Sequence, residues 1–96
     1  MGGRNQHFAL SLVREASKIG DCLFLSAGTD GTDGPTDAAG AMVDTDSLDR
    51  SRTLGLDPLK FLVANDSYHF FQELGDLIMT GPTRTNVMDV RFILIA

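Results

Sequence analysis

The sequence of 96 residues is long enough for one domain, and its hydrophobic content of 43% suffices for a modest core. The formal net charge of −5 argues against nucleic acid and against an anionic membrane surface, since both attract basic proteins. No apolar run approaches the roughly 20 residues of a membrane-spanning helix, and no signal peptide is recognisable. The single cysteine, Cys22, cannot form an internal disulfide. These features predict a cytoplasmic protein without nucleic-acid or membrane partners, with a mitochondrial location left open for a eukaryotic source.

The first predicted element is an amphipathic helix over residues 6–19, which Asn5 can cap and Gly20 can end. The apolar run over residues 22–25 predicts a short buried strand after it. A long loop rich in glycine and aspartate follows at residues 26–40. Open α/β sheets place their ligands at the carboxyl ends of strands, so this loop is the first candidate functional segment.

The rest of the sequence alternates short strands with short helices. Strands are predicted at residues 41–44, 77–79 and 90–95. Caps and glycines delimit helices at residues 48–54, 58–63 and 68–74. The alternation predicts an α/β fold, namely a small layered domain with a mixed sheet of about four strands and helices packed on it.

The loop over residues 26–40 concentrates negative charge in Asp30, Asp33 and Asp37 without any basic residue. Water, loop amides, a metal ion or a distant basic group could offset this charge. The spacing of three and then four residues does not fit an EF-hand, but one or two carboxylates suffice for Mg²⁺. An aspartate could also accept a proton from a substrate hydroxyl. Asp37, together with Thr36, has a structural alternative as a cap of the following turn.

Three other segments carry candidate binding groups, each with a plainer alternative. Gly2-Gly3-Arg4-Asn5 at a helix N-terminus can bind an anion, or can simply expose an arginine to solvent. Asn65-Asp66-Ser67 can cap the next helix or contribute to a site. The polar segment over residues 80–86, followed by Asp89, can bind phosphate or ribose oxygens or form ordinary turns. The sequence contains neither a GxxxxGK[ST] phosphate loop nor a GxGxxG fingerprint after a strand.

In order along the sequence, these four segments resemble the C-terminal MOFRL domain of class II glycerate kinases, whose relatives have often been labelled hydroxypyruvate reductases. The run TDGTDGPTDAAG is the most specific part, and the resemblance extends from residue 2 to the end. It implies ATP- and Mg²⁺-dependent phosphorylation of D-glycerate to a phosphoglycerate. It also implies that residues 1–96 form the C-terminal part of a two-domain enzyme and are inactive without the N-terminal Rossmann-like domain, which carries the family's catalytic lysine.

The resemblance also implies roles for individual residues. Arg4 would bind the carboxylate or the transferring phosphate, and Asp30 would act near the substrate hydroxyl or Mg²⁺. The other residues expected to line the substrate and nucleotide cleft are Asn5, Gly31, Asp33, Gly34, Asp37, Asn65, Asp66, Thr83, Thr85 and Asn86. The metal ligands stay unassigned. Two positions depart from the family pattern, because His7 replaces a usual glutamate and Arg84 replaces a usual glycine.

Two alternatives remain open at this point. A hydroxypyruvate reductase would need a site for NAD(P)H, which the sequence does not display. A non-catalytic α/β module would dock on a partner through an exposed apolar face, and such a face predicts self-association, for example as a homodimer.

Overall fold

The computed structural model of the protein describes residues 1–81 and 88–95, in which helices cover one face of a four-stranded sheet. The helices are α1 (Arg4–Ser11), α2 (Val13–Ala16), α3 (Ser47–Thr53), α4 (Pro58–Val63) and α5 (Ser67–Leu74). The strands are β1 (Cys22–Gly28), β2 (Gly40–Asp44), β3 (Leu77–Ile78) and β4 (Asp89–Ile95). The order and type of the predicted elements are therefore confirmed, and most boundaries agree within one or two residues.

The first predicted helix is wrong as a single element, because it divides at Leu12 into α1 and α2. In a continuous helix the Leu12 amide would donate to the carbonyl of Phe8. That carbonyl instead accepts the Ser11 hydroxyl at 2.6 Å, and the Leu12 amide donates to Ala9 at 3.0 Å. Serine side chains compete with the backbone for such carbonyls, and here the competition tightens one turn and divides the helix.

The sheet has the strand order β3-β2-β1-β4, and every neighbouring pair is antiparallel. The predicted number of strands is confirmed, but the predicted mixed sheet is wrong. A parallel pair needs a long crossover, usually a helix. The loop between β1 and β2 contains no helix, so the chain turns back and pairs Phe24 with Val43.

The hydrophobic core lies between the sheet and the helices. Leu10 and Val13 from the first two helices pack with Phe70 and Phe71 of α5, over Val43 of the sheet. The rings of Phe70 and Phe71 meet edge to face, with centroids 5.1 Å apart. This packing fixes the position of α1 above the end of β1, where the aspartate-rich loop begins.

The opposite face of the sheet is open among the described residues. Leu23, Leu25 and Met42 lie on this face, and the register places Phe92 and Leu94 beside them. The two β4 side chains are more than half exposed. The docking alternative expects such a face, and its predicted self-association stays a prediction. In the described part of the chain, none of the helices has the length and apolar character needed to cross a membrane.

Candidate active site at the N-terminus of the first helix

A cleft of about 380 Å³ forms where the entry to α1, the turn after β1 and the start of β4 converge. Five of the predicted site residues line it: Arg4, Asn5, Asp30, Asp33 and Gly34. The remaining lining residues are Gly2, Gly3, Gly28, Thr32 and Asp89. Segments that are far apart in sequence thus supply one basic group and three carboxylates to the same opening.

Asp33 is the cap of α1, although it lies in a different segment of the chain. Its carboxylate is 3% exposed and accepts hydrogen bonds from the amides of Asn5 at 3.1 Å and Gln6 at 2.8 Å. These are the second and third residues of the helix, whose amides need an external acceptor. The predicted cap, Asn5, is wrong: the helix begins one residue before it, at Arg4.

The close approach of the loop to α1 depends on glycine at two positions. A Cβ atom added at Gly3 would lie 2.2 Å from the Asp33 carboxyl, and one added at Gly34 would lie 2.9 Å from the Gly3 Cα. Gly34 also has a φ of +62°, in the region that L side chains rarely adopt. Glycine at these two positions therefore allows the loop to lie directly on the helix N-terminus.

Asn5 is buried and links three elements through its side-chain amide. Its Oδ1 accepts the Ser26 hydroxyl of β1 at 2.6 Å. Its Nδ2 donates to Asp89 Oδ1 of β4 at 2.9 Å and to Asp33 Oδ1 at 3.3 Å. Asn5 therefore joins the helix to both strands that border the cleft.

Arg4 forms an ion pair with Asp89, with 2.6 Å between Nε and Oδ2. The hydrogen bond from Asn5, and after it the bond and charge of Arg4, lower the pKa of Asp89 below its ordinary value, although desolvation acts in the opposite direction. The Arg4 side chain is 68% exposed. A distant basic group was one of the candidates for offsetting the charge of the aspartate loop, but the ion-pair partner of Arg4 is Asp89, which lies outside that loop.

Asp30 is the cleft carboxylate with the fewest hydrogen bonds to other segments of the fold. It is half-buried, and its oxygens accept from the Thr32 amide at 3.2 Å and the Thr32 hydroxyl at 3.1 Å. Both bonds stay within its own turn, so each oxygen keeps lone-pair capacity for a ligand. This is a suitable environment for a carboxylate that binds a hydroxyl or a metal-bound water.

Four other predicted site residues do not line this cleft. Gly31 is buried in the turn, and Asp37 is exposed and accepts the Tyr68 hydroxyl at 2.7 Å. Asn65 is exposed with a φ of +55°, and Asp66 pairs with His69 Nδ1 at 2.8 Å. The predicted cap of the turn before Ala38 is half right, because Thr36 accepts the Ala38 amide and Asp37 does not. Thr83, Thr85, Asn86 and the unusual Arg84 lie outside the described residues.

Other parts of the described chain do not compete with this cleft as a site of chemistry. A cavity of about 440 Å³ lies beside α2 and α3, and its lining includes Arg14, Leu48, Arg52 and Asp57. None of the predicted site residues borders it, and the Asp57 carboxylate is already used to cap α4. Within residues 1–81 and 88–95, no three histidine, cysteine or acidic side chains converge as a metal-binding group.

Ser26 and Asp89 belong to or adjoin candidate segments of the sequence, but neither was assigned an individual role in the site. Asp89 belongs to the site because β4 pairs with β1, which sets Asp89 opposite Gly28. The sequence contained one usable signal, since a polar residue at the start of an apolar strand lies at the sheet edge where the neighbouring strand ends. Nothing in the sequence specified which strands are neighbours.

Comparison with known proteins places these residues in a family. The model of the MOFRL family matches residues 1–89. D-glycerate 2-kinase of Thermotoga maritima is 49% identical over 90 residues, which are 94% of this chain and 22% of that protein. Glycerate kinase of Homo sapiens is 48% identical over 99 residues, covering 96% of this chain and 19% of that protein. A relative in Agrobacterium vitis, 51% identical over 94 residues that cover 98% of this chain and 22% of that protein, carries a hydroxypyruvate reductase name.

Solved structures give the same result. The crystal structure of glycerate kinase from Thermotoga maritima superposes with a TM-score of 0.95 at 48% identity, covering 100% of this chain and 23% of the other. A protein from Pyrococcus horikoshii superposes with a TM-score of 0.92 at 42% identity, covering 99% of this chain and 22% of the other. The chain therefore spans about a fifth of the length of the relatives that it matches.

Proposed function

Because the chain belongs to the MOFRL family, we propose that it forms the D-glycerate-binding wall of the active site of an ATP-dependent glycerate kinase. The observation that carries the proposal is that Arg4 and Asp30 line one cleft. The names of the relatives support the same activity. Since the chain spans about a fifth of those relatives, the proposed activity is that of the longer architecture and not of these 96 residues alone.

Arg4 is proposed to bind the carboxylate of D-glycerate. Its Nε is occupied by Asp89, which leaves the four N–H donors of the two Nη atoms for a ligand. A guanidinium edge matches a carboxylate with two parallel hydrogen bonds. Such a contact fixes the acceptor hydroxyls relative to the protein, and most catalysis of phosphoryl transfer comes from positioning and charge stabilisation.

Asp30 is proposed to accept the proton of the attacking hydroxyl. The oxygen of that hydroxyl then forms the new bond to the terminal phosphorus of ATP, while the bond to ADP breaks and ADP leaves. The relatives from Thermotoga maritima and Pyrococcus horikoshii are named as 2-kinases, so the proposed acceptor is the 2-hydroxyl. The looser local bonding of Asp30, compared with Asp33 and Asp89, is what favours it for this role.

ATP and Mg²⁺ are the proposed cofactors, and the carboxylate oxygens of the cleft suit Mg²⁺. Mg²⁺ takes few protein carboxylates together with phosphate oxygens and water, so Asp30 alone could supply the protein ligand from this chain. Mg²⁺ would neutralise charge on the transferring phosphoryl group.

A hybrid enzyme tests the proposed function. In the hybrid, residues 1–89, which match the family model, replace the corresponding segment of Thermotoga maritima D-glycerate 2-kinase. We expect ADP release that depends on D-glycerate, with 2-phosphoglycerate as product. Asp30→Asn should lower kcat by about 100-fold or more, the usual contribution of a general base.

The matched control is Asp57→Asn, which removes an aspartate that caps α4 and does not line the cleft. It should leave kcat unchanged and change stability little, because asparagine caps helices about as well as aspartate. ADP release that ignores D-glycerate, or an Asp30→Asn hybrid as active as its parent, would contradict the proposal.

A further inference from the structure

Arg4 is held by a relay of hydrogen bonds that starts on β1 and passes through Asn5 and Asp89. On the basis of the proposed function, we propose that Asp89 is a positioning residue, which orients the Arg4 guanidinium so that its Nη edge receives the carboxylate of the acceptor. Asp89 touches Arg4 but is not assigned any contact with the substrate.

The relay is directional because each link leaves only one role for the next atom. Asp33 and Asp89 are carboxylates that only accept, so the Asn5 atom facing both of them is the donor Nδ2. Asn5 Oδ1 therefore accepts from the fully buried Ser26 hydroxyl. Asn5 Nδ2 is thereby aimed at Asp89 Oδ1. The second oxygen of Asp89, Oδ2, is then the one that meets Arg4 Nε.

This arrangement determines which edge of the guanidinium is available. A carboxylate can bind a guanidinium either at the Nε–Nη edge or at the edge formed by both Nη atoms. Asp89 occupies the first edge, and among the described residues Arg4 has no other ion pair. A substrate carboxylate is therefore directed to the second edge.

Arg4 needs such a restraint because its side chain is 68% exposed. A long, exposed arginine loses much rotamer freedom when it binds a ligand, and holding it in advance reduces that cost. The carboxylate of Asp89 is only 24% exposed and is fixed by Asn5, so it is a rigid point of attachment for the flexible side chain.

Positioning and simple electrostatics predict opposite effects of removing Asp89. The site binds an anion, so deleting a nearby negative charge should strengthen binding if charge alone matters. If Asp89 orients Arg4, deleting it should weaken binding in spite of the improved charge balance. The sign of the change therefore separates the two explanations.

The experiment titrates the isotope-labelled 96-residue chain with D-glycerate and follows the amide and arginine Nε–H signals by NMR. We expect Asp89→Asn to raise the Kd for D-glycerate by about fivefold or more. The matched control is Asp76→Asn, which removes a similarly buried partner of another arginine, Arg50, at 3.0 Å and outside the cleft. It should change Kd by less than about twofold. A Kd for Asp89→Asn equal to or below that of the parent would overturn the proposal.

Three further measurements keep the outcome decisive. Asp89→Glu retains the charge but displaces the carboxylate by one methylene, so it should also weaken the binding of D-glycerate. If Asp89→Asn does not fold, the Kd of Asp89→Glu tests the proposal in its place. Without ligand, the Arg4 Nε–H should exchange slowly with water in the parent and quickly in Asp89→Asn, and fast exchange in the parent would also overturn the proposal. Binding of D-glycerate that Arg4→Lys leaves unchanged would instead refute the proposed function, while the Nε–H exchange still reports whether Asp89 holds Arg4.

Discussion

Replacing Asp33 by asparagine should destabilise the fold strongly, because a single carboxylate in the loop caps the first helix. The change keeps the size and shape of the side chain. One oxygen can still accept a hydrogen bond, but the other becomes an NH₂ group that points a donor at a backbone amide. Since Asp33 accepts from the amides of both Asn5 and Gln6, one of these amides must lose its partner.

The structure allows the size of this effect to be worked out. A buried hydrogen bond to a charged group contributes about 1.5–3 kcal/mol. The interaction of the carboxylate with the helix dipole adds up to about 2 kcal/mol in a partly buried position. We therefore expect a loss of about 3 kcal/mol. A domain of this length has a total stability of roughly 5–14 kcal/mol, so the variant should remain folded but lose a large fraction of its stability.

Urea denaturation followed by circular dichroism measures this loss as a fall in the midpoint at unchanged slope. The control is Asp30→Asn, because Asp30 bonds only within its own turn and should cost less than about 1 kcal/mol. A loss below about 1 kcal/mol for Asp33→Asn, or equal losses for the two variants, would refute the assignment of Asp33 as the cap of α1.

Two further predictions concern titration. The hydrogen bond that Tyr68 donates to Asp37 raises the pKa of the tyrosine, and burial and the charge of Asp37 raise it further. The bond therefore stabilises the fold below the ordinary tyrosine pKa, and this stabilisation is lost as pH rises through the raised pKa of Tyr68. Because the sequence has one tyrosine, phenolate absorbance reports this pKa directly, and Asp37→Asn should lower it; an unchanged titration curve would contradict the bond. The pKa of Asp89 is lowered mainly by Asn5 and then by Arg4, so its contribution to stability is present above about pH 3.9 and disappears at lower pH. Asp89→Asn should therefore destabilise the protein at neutral pH but not in acid, and a destabilisation that persists unchanged at pH well below that value would argue against the pairing.

The sequence was sufficient to predict most elements, because their signals are local. Asp57 followed by Pro58 marks the start of α4, and the Asp57 carboxylate does accept the Leu59 amide at 3.0 Å. Gly75 ends α5 in the left-handed conformation that glycine favours. The division at Leu12 was not predictable from apolar spacing, since it depends on which donor reaches the carbonyl of Phe8.

The site was predicted less completely because it depends on contacts between distant segments. Arg4 and Asp30 were selected by resemblance to a family, and both line the cleft. Composition alone could not distinguish the roles of the loop aspartates, which differ in burial and in their donors. Asp33 accepts hydrogen bonds from a helix N-terminus and Asp37 accepts one from a tyrosine, so identical side chains only four residues apart have different functions in the structure.

The way in which the loop aspartates are stabilised has a consequence for the proposed chemistry. If Arg4 were needed to neutralise them, its guanidinium would be paired within the protein and would not be available for a ligand. Backbone amides and hydroxyl groups instead stabilise Asp30 and Asp33, and Arg4 makes its one described ion pair through Nε. Neutral donors thus preserve both the carboxylate of Asp30 and the Nη edge of Arg4 in one cleft, and these are the two groups that the proposed function assigns to the acceptor.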